Sequence, residues 1–208
     1  MDVEAVTIDA FGTLVALRDP VPALRHALAD RGVARSEDEV RAAFREEVSY
    51  YVERSHEGRD EPTLALLRRD CAAVFLAAAG AGLDPDEFAP AFVGALEFET
   101  LPGAAEACRS LAVRGLRLAV VSNWDAGLRE HLHRLGLTGV VDAVVTSAEA
   151  GAPKPAPQIF ELALERLRAP AGRTVHVGDS EADADGAHAA GLRFEPAPLP
   201  AAAARILA

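Results

Sequence analysis

Residues 5–15 read AVTIDAFGTLV. A short apolar run ends on an acid, Asp9, and then turns through Gly12 and Thr13. A carboxylate at the tip of a buried strand loses its hydration, so backbone N–H groups, a cation or a metal must stabilise it. The Gly12–Thr13 turn supplies amides that can surround an anion. The same kind of apolar run recurs downstream. RLAVVS (117–122), VDAVVTS (141–147) and RTVHVGD (173–179) are rich in β-branched residues and bounded by turn residues. Such near-continuous runs suit strands covered on both faces of a parallel sheet. Helix patterns over 103–113, 125–135 and 157–168 lie between them, and a weaker fifth strand is expected at Leu192–Glu195 before a Pro/Ala tail. The alternation predicts an α/β fold, a doubly wound parallel sheet that binds ligands beyond the carboxyl ends of its strands. Asp9, Ser122 and Asp179 all stand at such ends.

One long interruption, residues 15–98, reads as helical throughout. Ser36 with Glu39 forms a capping-box pattern opening a helix that includes Val40, Phe44 and Val48. Asp84-Pro85-Asp86-Glu87 reads as an N-cap, a proline at the first helical position and acids in the first turn. Gly32, Gly58, Gly80 and Gly82 punctuate the helices. The expected organisation is therefore an α/β core, residues 1–14 and 99–208, with a helical cap, residues 15–98, inserted after the first strand.

Composition narrows the function classes. The chain has 208 residues, half of them hydrophobic and a quarter charged, the balance of a globular protein with an ample core. A net charge of −11 argues against nucleic acid, which needs a basic face. It leaves room for a small anionic substrate held by a local cation or metal. MDVEAVTIDA carries no basic leader, and no apolar run reaches the roughly 20 residues of a membrane helix. A cytoplasmic protein without membrane partners is expected, and nothing here fixes its oligomeric state. Cys71 and Cys108 lack metal-ligand spacing and read as packed, reduced thiols. The histidines, at 26, 56, 131, 133, 176 and 188, show no metal or catalytic spacing, and His176 is expected to pack within a strand.

Four stations can carry chemistry. Asp9 is the first. In VVSNWD (120–125) the Ser122 hydroxyl and the following backbone N–H suit a phosphoryl or carboxylate oxygen, while Asn123 or Asp125 can instead cap the next helix. In GAPKPAPQIF (151–160) Lys154 stands between two prolines that restrict the backbone bearing this cation. In VHVGDSEADADGAHAAG (175–191) Asp179 and Asp183 can both reach a divalent cation, and Mg²⁺ accepts a few carboxylates plus water. Glu181-x-Asp183-x-Asp185-Gly186 mimics the start of a calcium loop, but Leu192 stands where its bidentate acid belongs and a strand precedes it.

Together and in this order, the stations resemble the haloacid dehalogenase superfamily. Asp9-Ala-Phe-Gly-Thr13 resembles its first motif, the strand-ending VVSN its second, Lys154-Pro its third and Gly178-Asp-x-x-x-Asp183 its fourth. The resemblance covers 5–15 and 117–191. It implies a sheet ordered 3-2-1-4-5 with Asp9 on the central strand, and a capped hydrolase. Asp9 would be the nucleophile, in a catalytic set with Thr13, Ser122 and Lys154. Phe11, Gly12 and Asn123 would lie on the substrate side. Mg²⁺ would be held by Asp9, the Phe11 carbonyl and Asp179, with Asp183 touching the ion or supporting it. The substrate would be a small phosphorylated or halogenated anion.

Phe11 departs from the phosphatase pattern, which places a proton-donating aspartate there. Hydrolysis of a phosphate with a good leaving group remains open to this chain. A 2-haloacid dehalogenase is the alternative, because halide leaves without a proton, and Arg41 or Arg45 would then hold the halide or carboxylate. A binding protein that has lost turnover is the third reading, with Phe44, Tyr50 and Tyr51 as a ligand surface. Asp179 beside Asp9 favours the Mg²⁺ enzyme, since two like charges in a dry cleft need a cation between them.

Overall fold

Ala5–Ile8, buried without exception, form β1 at the centre of the sheet. In the computed structural model, which describes residues 3–208, the chain continues through β2 (Val15–Leu17), α1 (Val21–Ala29), α2 (Glu37–Arg54), α3 (Glu61–Ala78), α4 (Pro85–Gly94) and β3 (Phe98–Thr100). It then alternates through α5 (Ala104–Val113), β4 (Arg117–Ser122), α6 (Leu128–Arg134), β5 (Ala143–Thr146), α7 (Ser147–Ala150), α8 (Gln158–Leu167), β6 (Thr174–Gly178), α9 (Glu181–Ala189), β7 (Arg193–Pro196) and α10 (Leu199–Leu207). The chain divides into two units. One joins the N-terminal segment through Ala16 to Glu99–Ala208, and the other is Leu17–Phe98. Among the described residues no helix is long and apolar enough to cross a membrane.

The first unit holds a parallel sheet ordered β5-β4-β1-β6-β7, with β1 paired to β4 on one side and β6 on the other. Counting only these five strands along the chain, the order is the expected 3-2-1-4-5. Ala5, Ala119, Val121 and Val145 from three strands pack with Ile159, Phe160 and Ala163 of α8. Small residues on the sheet admit the large ring between the layers. Helices therefore cover the sheet, and the polar residues following β1, β4 and β6 emerge together at its carboxyl edge. The Pro/Ala tail folds as α10, which buries Leu199, Ala202 and Ala203.

The second unit is a four-helix assembly around Leu24, Leu28, Leu67, Phe75, Phe88 and Phe92. Phe75 stacks on Phe88 with ring centres 6.0 Å apart. The Ser36–Glu39 capping box and the Asp84 N-cap form as expected. Phe44, Tyr50 and Tyr51 pack partly buried against the same core. One expectation fails here. The interruption is not helical throughout, because β2 and β3 pair as a two-stranded sheet. The buried face of α2 is Val40, Ala43 and Glu47, while Val48 is exposed.

Glu47 is thus a carboxyl inside an apolar helix interface. Burial pushes its pKa from 4.5 up to about 7, against a smaller downward effect of a hydrogen bond with Cys71. A pKa raised on folding makes stability fall as pH rises from the unfolded value, with the loss complete above the folded one. The expected cost at pH 8 is about 3 kcal/mol, from 1.36 kcal/mol per pKa unit. Glu47→Gln removes that titration. Its stability advantage over the parent, read from urea midpoints, is expected to grow by about 2 kcal/mol between pH 5 and pH 8. A constant difference across that range would contradict the assignment.

Candidate active site

Three strand ends and one loop build the site. Asp9 follows β1, and its own N–H donates to the Val177 carbonyl of β6 at 2.9 Å, which anchors it to the next strand. The chain then folds back: the amides of Leu14 and Val15 both donate to the Ala10 carbonyl at 2.8 Å. Gly12 turns with φ +84°, and a Cβ there would lie 2.2 Å from Asp179 Oδ2. Glycine is needed for the left-handed backbone and for the close approach of a carboxylate. Gly12→Ala is accordingly expected to displace Asp179 and lower any activity that uses this site by at least about tenfold, in keeping with the loss from a small misplacement of reacting groups. An unchanged rate in that variant would refute the expectation.

Lys154 lies at the centre. Its ammonium donates to Asp9 Oδ1 at 2.5 Å, to Asp183 Oδ1 at 2.5 Å and to the Val121 carbonyl at 3.1 Å. Its side chain is 4% exposed, so all three N–H bonds are spent on acceptors in a dry setting. Ser122, at the end of β4, donates its hydroxyl to the same Asp9 oxygen at 3.2 Å. Asp9 Oδ2 carries no hydrogen bond among the described residues. Burial raises the Asp9 pKa, the Lys154 ammonium opposes that rise, and the Asp183 charge adds to it.

Asp183, in the first turn of α9, is saturated. Oδ1 contacts Lys154 and His176 Nε2, the latter at 3.0 Å, while Oδ2 accepts from the Ser180 N–H at 3.1 Å and the Ser180 hydroxyl at 2.5 Å. A carboxylate offers about four lone-pair directions, and these contacts use them. Burial alone would raise its pKa, but the His176 hydrogen bond and the Lys154 charge outweigh it and hold the carboxyl well below the usual range. Gly178 permits this packing, because a Cβ there would meet Asp183 at 2.5 Å. Asp179, by contrast, is exposed, and burial followed by the Asp183 charge moves its pKa up. Oxygens of Asp9, Asp179 and Asp183 lie within 4.8 Å of one another.

The other residues singled out from sequence fall in different places. Thr13 is buried, and its hydroxyl has no hydrogen-bond partner among the described residues. Phe11 is 53% exposed. Asn123 turns its amide onto the Lys154 backbone, accepting that N–H at 2.7 Å and donating to that carbonyl at 3.2 Å. Both polar ends of Asn123 are thereby used in holding the lysine loop, instead of facing a substrate. Asp125 accepts the Gly127 N–H at 2.7 Å and so shapes the entry to α6. Arg41, considered above for a halide, pairs with Asp19 at 3.0 Å within the helical unit. His176 proves to be more than strand packing, since it contacts Asp183. One sequence signal for the site went unused: Lys154 is the only lysine among 21 basic residues.

Three comparisons bear on this geometry. A family model described as a haloacid dehalogenase-like hydrolase matches residues 3–191. The mouse haloacid dehalogenase-like hydrolase domain-containing protein 3 is 40% identical over 108 residues, 51% of this chain and 43% of that protein. The ribulose-1,5-bisphosphate 5-phosphatase of Halopiger xanaduensis is 42% identical over 105 residues, 48% of this chain and 44% of that protein. The chain spans less than half the length of these curated relatives. Among solved structures, the L-2-haloacid dehalogenase of Xanthobacter autotrophicus superposes with a TM-score of 0.65 at 25% identity, covering 92% of this chain and 76% of that one.

Proposed function

The chain belongs to the haloacid dehalogenase-like hydrolase family, and from that premise we propose a Mg²⁺-dependent phosphohydrolase acting on small phosphorylated metabolites with good leaving groups. One observation carries the reading: three carboxylates, Asp9, Asp179 and Asp183, crowd within 4.8 Å while a single ammonium, Lys154, sits among them. Burial lowers the pKa of the neighbouring His176 imidazole against the opposing Asp183 hydrogen bond, and the cluster sets three carboxylates against one ammonium. Asp9 and Asp183 are buried, and like charges crowded in such a setting are stable only when a cation offsets them. An all-oxygen donor set suits Mg²⁺. Asp9, Asp179 and the Phe11 carbonyl would hold the ion; Asp183, its lone pairs already engaged, supports Lys154. A bound ion would supply charge neutralisation and polarisation of a phosphoryl oxygen.

The residues then divide the work. The Asp9 carboxylate attacks phosphorus, forming the Asp9 O–P bond as the bond to the leaving oxygen breaks. Water attacks the aspartyl-phosphate, releasing inorganic phosphate and returning the carboxylate. Lys154 and Ser122 orient Asp9 and offset charge that develops beside it. Thr13, with a buried hydroxyl otherwise unpartnered, is a donor suited to a phosphoryl oxygen. Phe11 gives no proton to the departing oxygen. A missing general acid costs about 10²–10⁴ in rate, so anhydride, acyl or aryl phosphates are the substrates this site serves.

Phe11 also supports a second reading, metal-independent release of halide from a 2-haloacid, because halide departs unprotonated. A panel of aryl and alkyl phosphates and 2-chloro acids, run with Mg²⁺ or with chelator, separates the two. The expected result is aryl phosphate turnover that requires Mg²⁺. Halide release in chelator without phosphate turnover would replace the first reading by the second. Phe11→Asp, made at an exposed position, is expected to raise alkyl phosphate turnover by about 10². No gain would show that the site lacks more than its acid.

A further inference from the structure

We propose that His176, fixed by Thr7, is a positioning residue that sets Asp183 and thereby the ammonium of Lys154 beside Asp9. The inference rests on the reading of Asp9 and Lys154 as the reacting pair. His176 stands in the middle of β6 and is fully buried, with Phe160 edge-on at 4.9 Å and Phe194 at 6.3 Å between ring centres. An imidazole in such surroundings is costly unless both nitrogens are paired. Both are. Nδ1 meets Thr7 Oγ1 at 2.9 Å and Nε2 meets Asp183 Oδ1 at 3.0 Å.

The partners dictate the tautomer. An ionised carboxylate only accepts, so Nε2 carries hydrogen whatever the protonation state of the ring. In the neutral ring Nδ1 is then an acceptor, and the Thr7 hydroxyl donates to it. Thr7 can do so because the parallel register of β1 and β6 places Thr7 directly opposite His176. Asp183 Oδ1 is in turn shared between His176 and the Lys154 ammonium, which also reaches Asp9. A fixed chain thus runs from Thr7 through His176, Asp183 and Lys154 to Asp9. Without the Nε2–H donor, Oδ1 keeps only its lysine partner, and the carboxylate can turn about the Ser180 contacts that hold Oδ2.

His176→Leu removes the donor within an apolar site, and His176→Gln keeps an N–H at similar reach. Because the chain has a single lysine, the ¹⁵Nζ ammonium resonance of lysine-labelled protein reports Lys154 directly and needs no substrate. The expected result is a shifted ammonium signal in His176→Leu, with kcat for an aryl phosphate lowered about 10–100-fold, the range for a lost hydrogen bond to a charge, and KM within about twofold of wild type. His176→Gln is expected to restore both readouts. Thr7→Val, which keeps the side-chain volume, is expected to shift the same signal less and covers the case in which His176→Leu does not fold. An unmoved ammonium signal in the folded variant would overturn the proposal, as would equal impairment by Leu and Gln. Should the wild type turn over no phosphate, the functional reading fails, and the ammonium signal still decides this one.

Discussion

Asp9→Asn is expected to lower aryl phosphate turnover by about 10⁴-fold or more while leaving a folded protein. An amide of the same shape keeps an oxygen toward Ser122 and Lys154, so the loop after β1 retains its backbone bonds to Val177 and within the turn. What it loses is nucleophilicity, and losses of this size follow when a residue that forms a covalent intermediate is replaced. The same change deletes one of three crowded carboxylates. Stabilisation by Mg²⁺, read as the rise in melting temperature over a chelated sample, is therefore expected to shrink as well. Two measurements thus test one residue independently. Turnover above about one per cent of wild type would remove Asp9 from the nucleophile's role. Undiminished Mg²⁺ stabilisation would remove it from the ion's shell.

The core sheet was legible in the sequence because four of its five strands are buried along nearly their whole length. RLAVVS coincides with β4, and the runs around β5 and β6 overshoot by only a few residues at their ends. Composition alone marks such strands, and four polar stations at their ends placed Asp9, Ser122, Lys154 and Asp183 in one hydrogen-bonded set. Shorter features escaped. β2 and β3 have three residues each, too few for a period-two pattern to stand out from noise. The buried face of α2 is not marked by apolar residues alone, because Glu47 takes an inward position that an apolar residue would normally hold. The prolines of the tail sit where a helix tolerates them: Pro198 precedes α10 and Pro200 falls in its first turn.

Within the site, contacts across strands were the hidden part. Thr7 and His176 are 169 residues apart, and only the register of β1 against β6 brings them together. Asn123 likewise meets Lys154 across 31 residues. Its amide can bind a ligand or a loop equally well, and only the fold decides between them. Residue type told which side chains could do chemistry, whereas the geometry told which had lone pairs left to do it. Asp183 shows the difference: by type it is a metal ligand, but four donors already occupy it.

Lys154→Arg, conservative in charge, is expected to cost about 10³ in kcat, comparable to removing an oxyanion-hole donor. Three acceptors, from Asp9, Asp183 and Val121, converge on one nitrogen. An ammonium serves that arrangement with its three N–H bonds. A guanidinium spreads five donors over a planar fork and cannot direct three of them from a single atom. The side chain is 4% exposed, so the surplus donors would find neither water nor partners, and burying them is costly. The composition sharpens the point: with arginine at each of the other basic positions, an ammonium here answers a local geometric demand. Lys154→Met keeps the length and removes the charge, leaving the buried carboxylates without their cation. That variant is expected to lose about 3–5 kcal/mol of stability in chelator, the cost of breaking a buried pair, and to recover part of it with Mg²⁺. Turnover by the arginine variant within tenfold of wild type, at saturating Mg²⁺ and aryl phosphate, would show that charge alone suffices and that the three-way convergence on Nζ is incidental.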